Sequence, residues 1–328
     1  MNVRVSALTT DAVANAESAR ETAVSSFAID VLAGLTRQPK QLSPKYFYDA
    51  AGSALFEQIT VLPEYYPTRT ELGILSDCGT EIAALLPAGA ALVEFGAGAA
   101  TKVRRLLETC DIAAYVPVDI SSEFMNAEAD GLRRDFPRLA IHPLAADFTQ
   151  MFALPAEVRA LPKVGFFPGS TLGNFEPQEA SRFLQRACET LGRGALLIVG
   201  VDLEKDERVL HDAYNDASGV TARFNLNLIV RMNRELGTNF DLASFDHRAF
   251  YNHDHHRIEM HLISKRPQMV RVCGRTISFR TGESIHTENS YKYSIESLYQ
   301  LASGSGWLPL KSWTDAGRMF SVHALRAV

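Results

Sequence analysis

The chain of 328 residues carries 33 basic and 38 acidic side chains, a formal net charge of −5, and 46% hydrophobic residues. That length suits about two domains, the apolar fraction excludes a disordered chain, and the acidic balance argues against a nucleic-acid partner. No run reaches the roughly 20 apolar residues of a membrane span, and Cys78, Cys110, Cys188 and Cys273, dispersed and without a Cys-x-x-Cys, argue for a reducing cytoplasm.

The first residues are polar and Ala-rich, without the apolar block of a secretory signal, and residues 1–20 are expected to be mobile. From Ser26 the pattern turns helical, with Phe27, Val31, Leu32 and Leu35 on one face. The stretch 42–71 that follows is rich in tyrosine and proline and reads either as a packed loop or as the lid of a small-molecule pocket. Five apolar strand candidates then alternate with helices: ALVEFGAGAAT, AYVPVDIS, LAIHPLAADF, KVGFFPGSTLGNF and GALLIVGVDL. This rhythm predicts an α/β fold with a doubly wound parallel sheet. After Asp202 it breaks into a long helical stretch and then alternating antiparallel strands, before a helix, a strand at Trp307 and a strand from Met319 to Leu325. The expected organisation is a Rossmann-like domain over 66–204 and 292–328, with a second α+β lobe over 21–65 and 205–291.

Gly96 and Gly98 follow the first strand and open a helix, where free N–H groups and absent side chains let a ligand approach. Thr101 stands where a dinucleotide fingerprint has its third glycine, so a simple strand-to-helix turn is an equal reading. Asp119 ends the second strand, at the position for ribose hydroxyls, and Asp147 with Phe148 ends the third, suiting an adenine amine and ring. Each aspartate alone reads as a turn or cap residue. Together they point to an adenosine ligand. The missing glycine favours one without phosphates, such as S-adenosylmethionine, and the terminal strand pair resembles class I methyltransferases. Lys102 either lies on the surface or reaches a carboxylate of that ligand. His247, His253, His255, His256 and His261 lack ligand spacing and read as solvated turn residues rather than a metal site. Gly169–Asn174 is not a nucleophile elbow.

Seven stretches together resemble the L-histidine Nα-methyltransferases of ergothioneine biosynthesis: 44–71, VEFGAGAATK (93–102), PVDIS (117–121), GSTLGNFEP (169–177), AYNDASGVTARFNLN (213–227), RIEM (257–260) and TENSYKY (287–293). The resemblance implies three successive methyl transfers from S-adenosylmethionine to the α-amine of histidine, giving hercynine. It implies that Gly96, Lys102, Asp119, Asp147 and Phe148 hold the co-substrate and that Tyr48 lies beside the amine and co-substrate as the catalytic residue. It places Tyr65, Asn174, Tyr214, Glu288 and Ser290 at the histidine, with Asn174 and Tyr214 on the carboxylate and Glu288 and Ser290 on the imidazole. Asn289 and Tyr291 depart from some members of the family, leaving room for another aromatic amino acid such as tryptophan. A catalytically silent binding module is the other alternative. The expected protein is a monomer acting on a small molecule, without a metal.

Overall fold

The computed structural model describes residues 26–328, so the mobile segment expected over 1–20 lies outside the described residues. Helix α1 (residues 26–36) buries Phe27, Val31 and Leu35 along one face, four residues apart each time. Strand β1 (Lys40–Gln41) and a 3-10 turn over Pro44–Phe47 lead into helix α2 (Ala50–Thr60). The aromatic stretch then becomes helix α3 (Tyr66–Asp77), with a proline in its first turn where the missing N–H costs nothing. Helix α4 (Gly79–Leu85) follows.

The alternating region comprises β2 (Ala90–Phe95), α5 (Thr101–Thr109), β3 (Ile112–Asp119) and α6 (Ser122–Asp135). The expected third strand divides into β4 (Ala140–Ile141) and β5 (Leu144–Ala145). Pro143 lies in the interruption and has no N–H to give a ladder. Then come β6 (Lys163–Phe167), α7 (Pro177–Leu191) and β7 (Leu196–Asp202). The helical stretch beyond is two helices, α8 (Glu207–Tyr214) and α9 (Val220–Leu236). Asp216 separates them. Its carboxylate accepts from the amides of Val220 and Thr221, both at 2.8 Å, and so starts the second helix.

Strands β8 (Phe245–Asn252), β9 (Arg257–Ser264), β10 (Gln268–Val272), β11 (Arg275–Phe279) and β12 (Ser284–Tyr291) follow. Strands β10 and β11 form an antiparallel hairpin, turned by Cys273 and Gly274, both at positive φ. A four-stranded sheet has the order β1-β12-β9-β8. The chain ends in α10 (Ile295–Ser303), β13 (Trp307–Thr314) and β14 (Phe320–Ala327).

The large sheet runs β13-β14-β7-β6-β2-β3-β4, with β5 also paired to β3. From β7 to β4 the pairs are parallel, while β14 is antiparallel to both β7 and β13. Strands β2 and β7 are buried at every residue, as a sheet covered on both faces requires. Alternation along β2 sends Ala91, Val93 and Phe95 into a core with α7 and α10, and Ala90 and Leu92 into one with α3, α4 and α5. The strand order reverses between β2 and β6, so the crevice at their carboxyl ends is where a ligand of such a sheet binds.

By contacts the chain forms two compact units. One, the sheet unit, takes 53–221, 249–259 and 289–328; the other, the lobe, takes 26–52, 222–248 and 260–288 among the described residues. Residues 53–65, 205–221, 249–259 and 289–291, which the sequence pattern puts in the lobe, thus pack with the sheet unit. Within the lobe, Phe47 stacks on Phe224 at 4.6 Å, and Phe279 meets Phe240 and Phe245 at 6.0 and 5.4 Å.

Candidate active site

Three strand ends and one helix start of the sheet unit carry the expected co-substrate residues. Gly96, just past β2, has φ +75°, and a Cβ there would come within 3.2 Å of the Phe148 ring. Both its backbone angle and its neighbour therefore require glycine. Phe148 packs edge-on to Phe167 at 5.8 Å, which fixes the ring beside the turn. Asp119, at the end of β3, accepts from the Ser121 amide at 2.6 Å; burial pushes its carboxyl up, against that hydrogen bond. Asp147 accepts from the amide and hydroxyl of Thr149, at 2.9 and 2.5 Å. Each aspartate thus shapes its own turn with one oxygen.

Lys102 lies in the first turn of α5, 18% exposed, and its ammonium is 2.7 Å from Glu71. Glu71 is buried and also accepts from the Gly169 amide at 2.9 Å. A Cβ on Gly200 would strike the Glu71 carboxylate at 2.0 Å, and one on Gly169 would lie 3.0 Å from the Lys102 ammonium. Two glycines make room for this pair. Of the two readings of Lys102, the loose surface residue does not hold, since it is mostly buried and paired with Glu71.

Beyond β6, Gly169 and Ser170 both adopt positive φ and lead into a 3-10 turn over Thr171–Asn174. The Ser170 hydroxyl accepts from the Asp202 amide at 2.9 Å, tying the end of β6 to the end of β7. That is a structural use of the serine, as its sequence context suggested. Asn174 is half-buried, and its amide makes no hydrogen bond among the described residues. Tyr65 precedes α3 and meets Tyr214 edge-on at 6.3 Å. The Tyr214 hydroxyl donates to Ser290 Oγ at 2.7 Å. Tyr65, Tyr214 and Ser290, from three distant stretches, are therefore brought together within the sheet unit.

The lobe holds Tyr48 and Glu288. Tyr48 ends the 3-10 turn, its ring edge-on to Phe224 at 5.8 Å. Asp49 beside it is bound by the Gly52 amide (2.7 Å), Asn227 (2.8 Å) and Arg234 (2.6 Å). Burial pushes the Asp49 carboxyl up, but these three partners bring it below the usual carboxylate range. Glu288 lies on β12, two residues before Ser290 and so on the same face of that strand.

Of the five histidines, only His253, His255 and His256 lie in an exposed turn; His247 and His261 are half-buried on β8 and β9, not turn residues as expected, and His261 stacks on His286 at 4.6 Å. His253 and His256 are exposed and pair with Glu207 and Glu204, each at 3.1 Å, while His255 is exposed in the same turn. His247 bonds to Asn225 at 2.9 Å and His261 to Ser284 at 3.2 Å.

A family model described as "Histidine-specific methyltransferase, SAM-dependent" matches residues 27–327. The chain belongs to this family. The histidine N-alpha-methyltransferase of Mycolicibacterium smegmatis is 40% identical over 314 residues, 93% of this chain and 96% of the relative. That of Mycobacterium tuberculosis is 38% identical over 300 residues, covering 89% and 92%. Ergothioneine biosynthesis protein 1 of Neurospora crassa is 31% identical over 298 residues, 88% of this chain but 33% of the relative. As a member of the histidine-specific methyltransferases, the chain uses S-adenosylmethionine as co-substrate. No helix among the described residues is long and apolar enough to cross a membrane.

In this methyltransferase the sequence reading missed a buried polar group. Asp202, 1% exposed, accepts from the Tyr66 hydroxyl at 2.7 Å, from Lys205 at 2.6 Å and from Lys292 at 2.8 Å. Burial alone would raise the Asp202 carboxyl, yet Lys292 and Lys205 hold it below its ordinary value. Burial pushes the Lys205 ammonium down to about 8, against the pull of Asp202. Asp202 ends a strand, as Asp119 does. The rule that singled out Asp119 therefore could have found it.

Proposed function

We propose that this protein transfers methyl groups from S-adenosylmethionine to the α-amine of L-histidine, three times in succession, giving hercynine as the first step of ergothioneine biosynthesis. The observation that carries the reading is the family match over 27–327, with the tyrosine, serine and glutamate of the histidine positions present in this chain. The residues at the strand ends fit the co-substrate: Gly96 leaves backbone open beside the Phe148 ring, and the carboxylate of Asp119 offers acceptors at the ribose position. In this reading Gly96, Lys102, Asp119, Asp147 and Phe148 hold S-adenosylmethionine. Asn174 and Tyr214 take the histidine carboxylate, Tyr65 lines the site, and Glu288 and Ser290 take the ring.

S-adenosylmethionine supplies a methyl group on a sulfonium, already activated for displacement. The chain's task is therefore placement. Holding a neutral amine in line with that methyl converts a bimolecular encounter into a unimolecular step, an advantage reaching about 7–11 kcal/mol for well-aligned groups. As the N–C bond forms, the C–S bond breaks and its electron pair leaves with S-adenosylhomocysteine. Before each transfer the amine sheds a proton, either to water or through the Tyr48 hydroxyl, which takes it only while handing its own proton on to water. Glu288 gives specificity, since a half-buried carboxylate gains a hydrogen bond from a ring N–H that a ring without that donor does not offer.

The test is incubation with methyl-labelled S-adenosylmethionine and a panel of amino acids, followed by mass analysis of the product. Label on histidine, ending at a mass gain of three methyl groups, is the expected result. Transfer to tryptophan alone, or to none of the panel, overturns the reading.

A further inference from the structure

The segment between β6 and α7 carries Asn174, and within the sheet unit it is fastened to the end of β12 at two points. The first is Glu176, the residue before α7. Its Oε1 accepts from Arg257 at 2.9 Å and from the Asn289 amide at 3.0 Å, and its Oε2 accepts from the Tyr291 hydroxyl at 2.6 Å. The same Arg257 nitrogen gives its other proton to the Tyr291 hydroxyl at 2.5 Å, so that hydroxyl accepts one hydrogen bond and donates one. Glu259 holds the guanidinium from its other side, at 2.7 and 2.8 Å. Arg257 and Asn289 are buried, while Glu176 is 42% exposed. Burial raises the Glu176 carboxyl, but Tyr291 and Arg257 bring it below its ordinary value. The second point is Gly173. A Cβ there would come within 2.7 Å of the Tyr291 carbonyl oxygen, so the 3-10 turn lies directly on the backbone of β12. Asn174 sits between these two fastenings, and its amide makes no hydrogen bond among the described residues.

We infer that Glu176, clasped by Arg257, Asn289 and Tyr291, is a positioning residue that fixes the β6–α7 segment and so holds Asn174 ready for the carboxylate of the amino-acid substrate. The inference rests on the reading that Asn174 takes that carboxylate. An amide with no partner of its own goes where its backbone goes, and a donor already in place is spared the ordering cost at binding. The clasp supplies that order through charge-assisted hydrogen bonds to both carboxylate oxygens. Because Glu176 is partly exposed, the clasp adds little to global stability, and its effect falls on the segment it holds. Asn289 and Tyr291 alternate with Ser290 along β12 and so occupy its opposite face. The two positions at which this chain departs from some members of its family therefore serve the segment that carries Asn174.

The experiment is calorimetry of the S-adenosylhomocysteine complex with histidine and with histamine, which keeps the ring and the amine but lacks the carboxylate. Wild type should bind histidine at least about tenfold tighter than histamine, and Asn174→Ala should shrink that ratio. Glu176→Ala should lower histidine affinity about tenfold and leave histamine and S-adenosylhomocysteine within about threefold. Tyr291→Phe leaves Glu176 at the head of α7 but removes a donor from it; histidine affinity should fall at least about threefold, with histamine spared. In an Asn174→Ala background, Glu176→Ala should cost less than about twofold more, since both changes act on one contact. A preserved histidine-to-histamine ratio in Glu176→Ala or Tyr291→Phe, or a full further loss in the Asn174→Ala background, overturns the inference. Equal wild-type affinities for the two ligands, or a ratio that Asn174→Ala leaves unchanged, instead refutes the underlying reading of Asn174.

Discussion

Glu288 and Ser290 lie on one face of β12, and the proposed function gives both to the substrate ring. Glu288→Ala should therefore weaken histidine binding by at least tenfold and S-adenosylhomocysteine binding by less than threefold, measured by calorimetry. Equal losses would remove the glutamate from the substrate site. The glutamate stands out in the sequence only through the TENSYKY resemblance, since a strand-end acid has no signature of its own. The place of Gly96, Asp119 and Phe148 beyond strand ends was legible from the alternation of apolar strands and helices, and strand ends of a parallel sheet are where its ligands bind. Lys292 was not. A lysine next to tyrosines reads as a surface residue, and only the fold reveals Asp202 within 2.8 Å of it. Likewise nothing in the pattern around Lys102 announces Glu71, 31 positions earlier, which the fold brings to 2.7 Å from it.

At the scale of elements, the helix start at Asp216 shows why one long helical pattern became two. Apolar periodicity continues through the break, but a carboxylate receiving two amides at 2.8 Å starts a new helix at lower cost than bending one. Burial pushes the Asp216 carboxyl up, but bonds from Ser218, Thr221 and Val220 bring it to about 2. A depressed carboxyl stabilises the fold above its unfolded value of about 3.9 and loses that effect as pH falls toward 2. Asp216→Ala should cost about 1–2 kcal/mol at pH 7, by denaturant titration, with the difference shrinking as the pH falls below about 4. A constant difference across that range would assign the effect to packing. The parallel sheet itself was legible because apolar strands and amphipathic helices differ in period. The division of the third strand at Pro143 was hidden in an otherwise apolar run.

For the molecule as a whole, pH stability should carry the mark of Glu94, buried in the central strand with Tyr115 donating to it. Burial pushes the carboxyl up to about 8, against the Tyr115 hydrogen bond. The folded state then binds more protons than the unfolded state between about pH 4.5 and 8, so stability declines as pH rises through that window, by up to about 1.4 kcal/mol per unit. Glu94→Gln keeps an acceptor for Tyr115 without the charge. It should flatten the decline in Tm between pH 5 and 8 and be the more stable form at pH 8. A parallel decline in both proteins would place the titrating group elsewhere. The division into two units was legible as a break after Asp202, but its borders were not. Contacts, rather than pattern, keep 205–221 with the sheet unit.

The order β13-β14-β7 has a consequence for the chain as it is made. Strand β14 is synthesised after both of its neighbours, yet it fills the place between them. Until it emerges, the wholly apolar-flanked β7 has one open edge, and β13 has no partner on this sheet. An open, buried-type edge is a template for pairing with another chain. The parallel half can assemble on the ribosome, but the sheet is not sealed against neighbouring nascent chains until Phe320–Ala327 arrive. A translational pause between β7 and β14 thus prolongs the interval in which this protein is most prone to aggregate, however stable the finished molecule is.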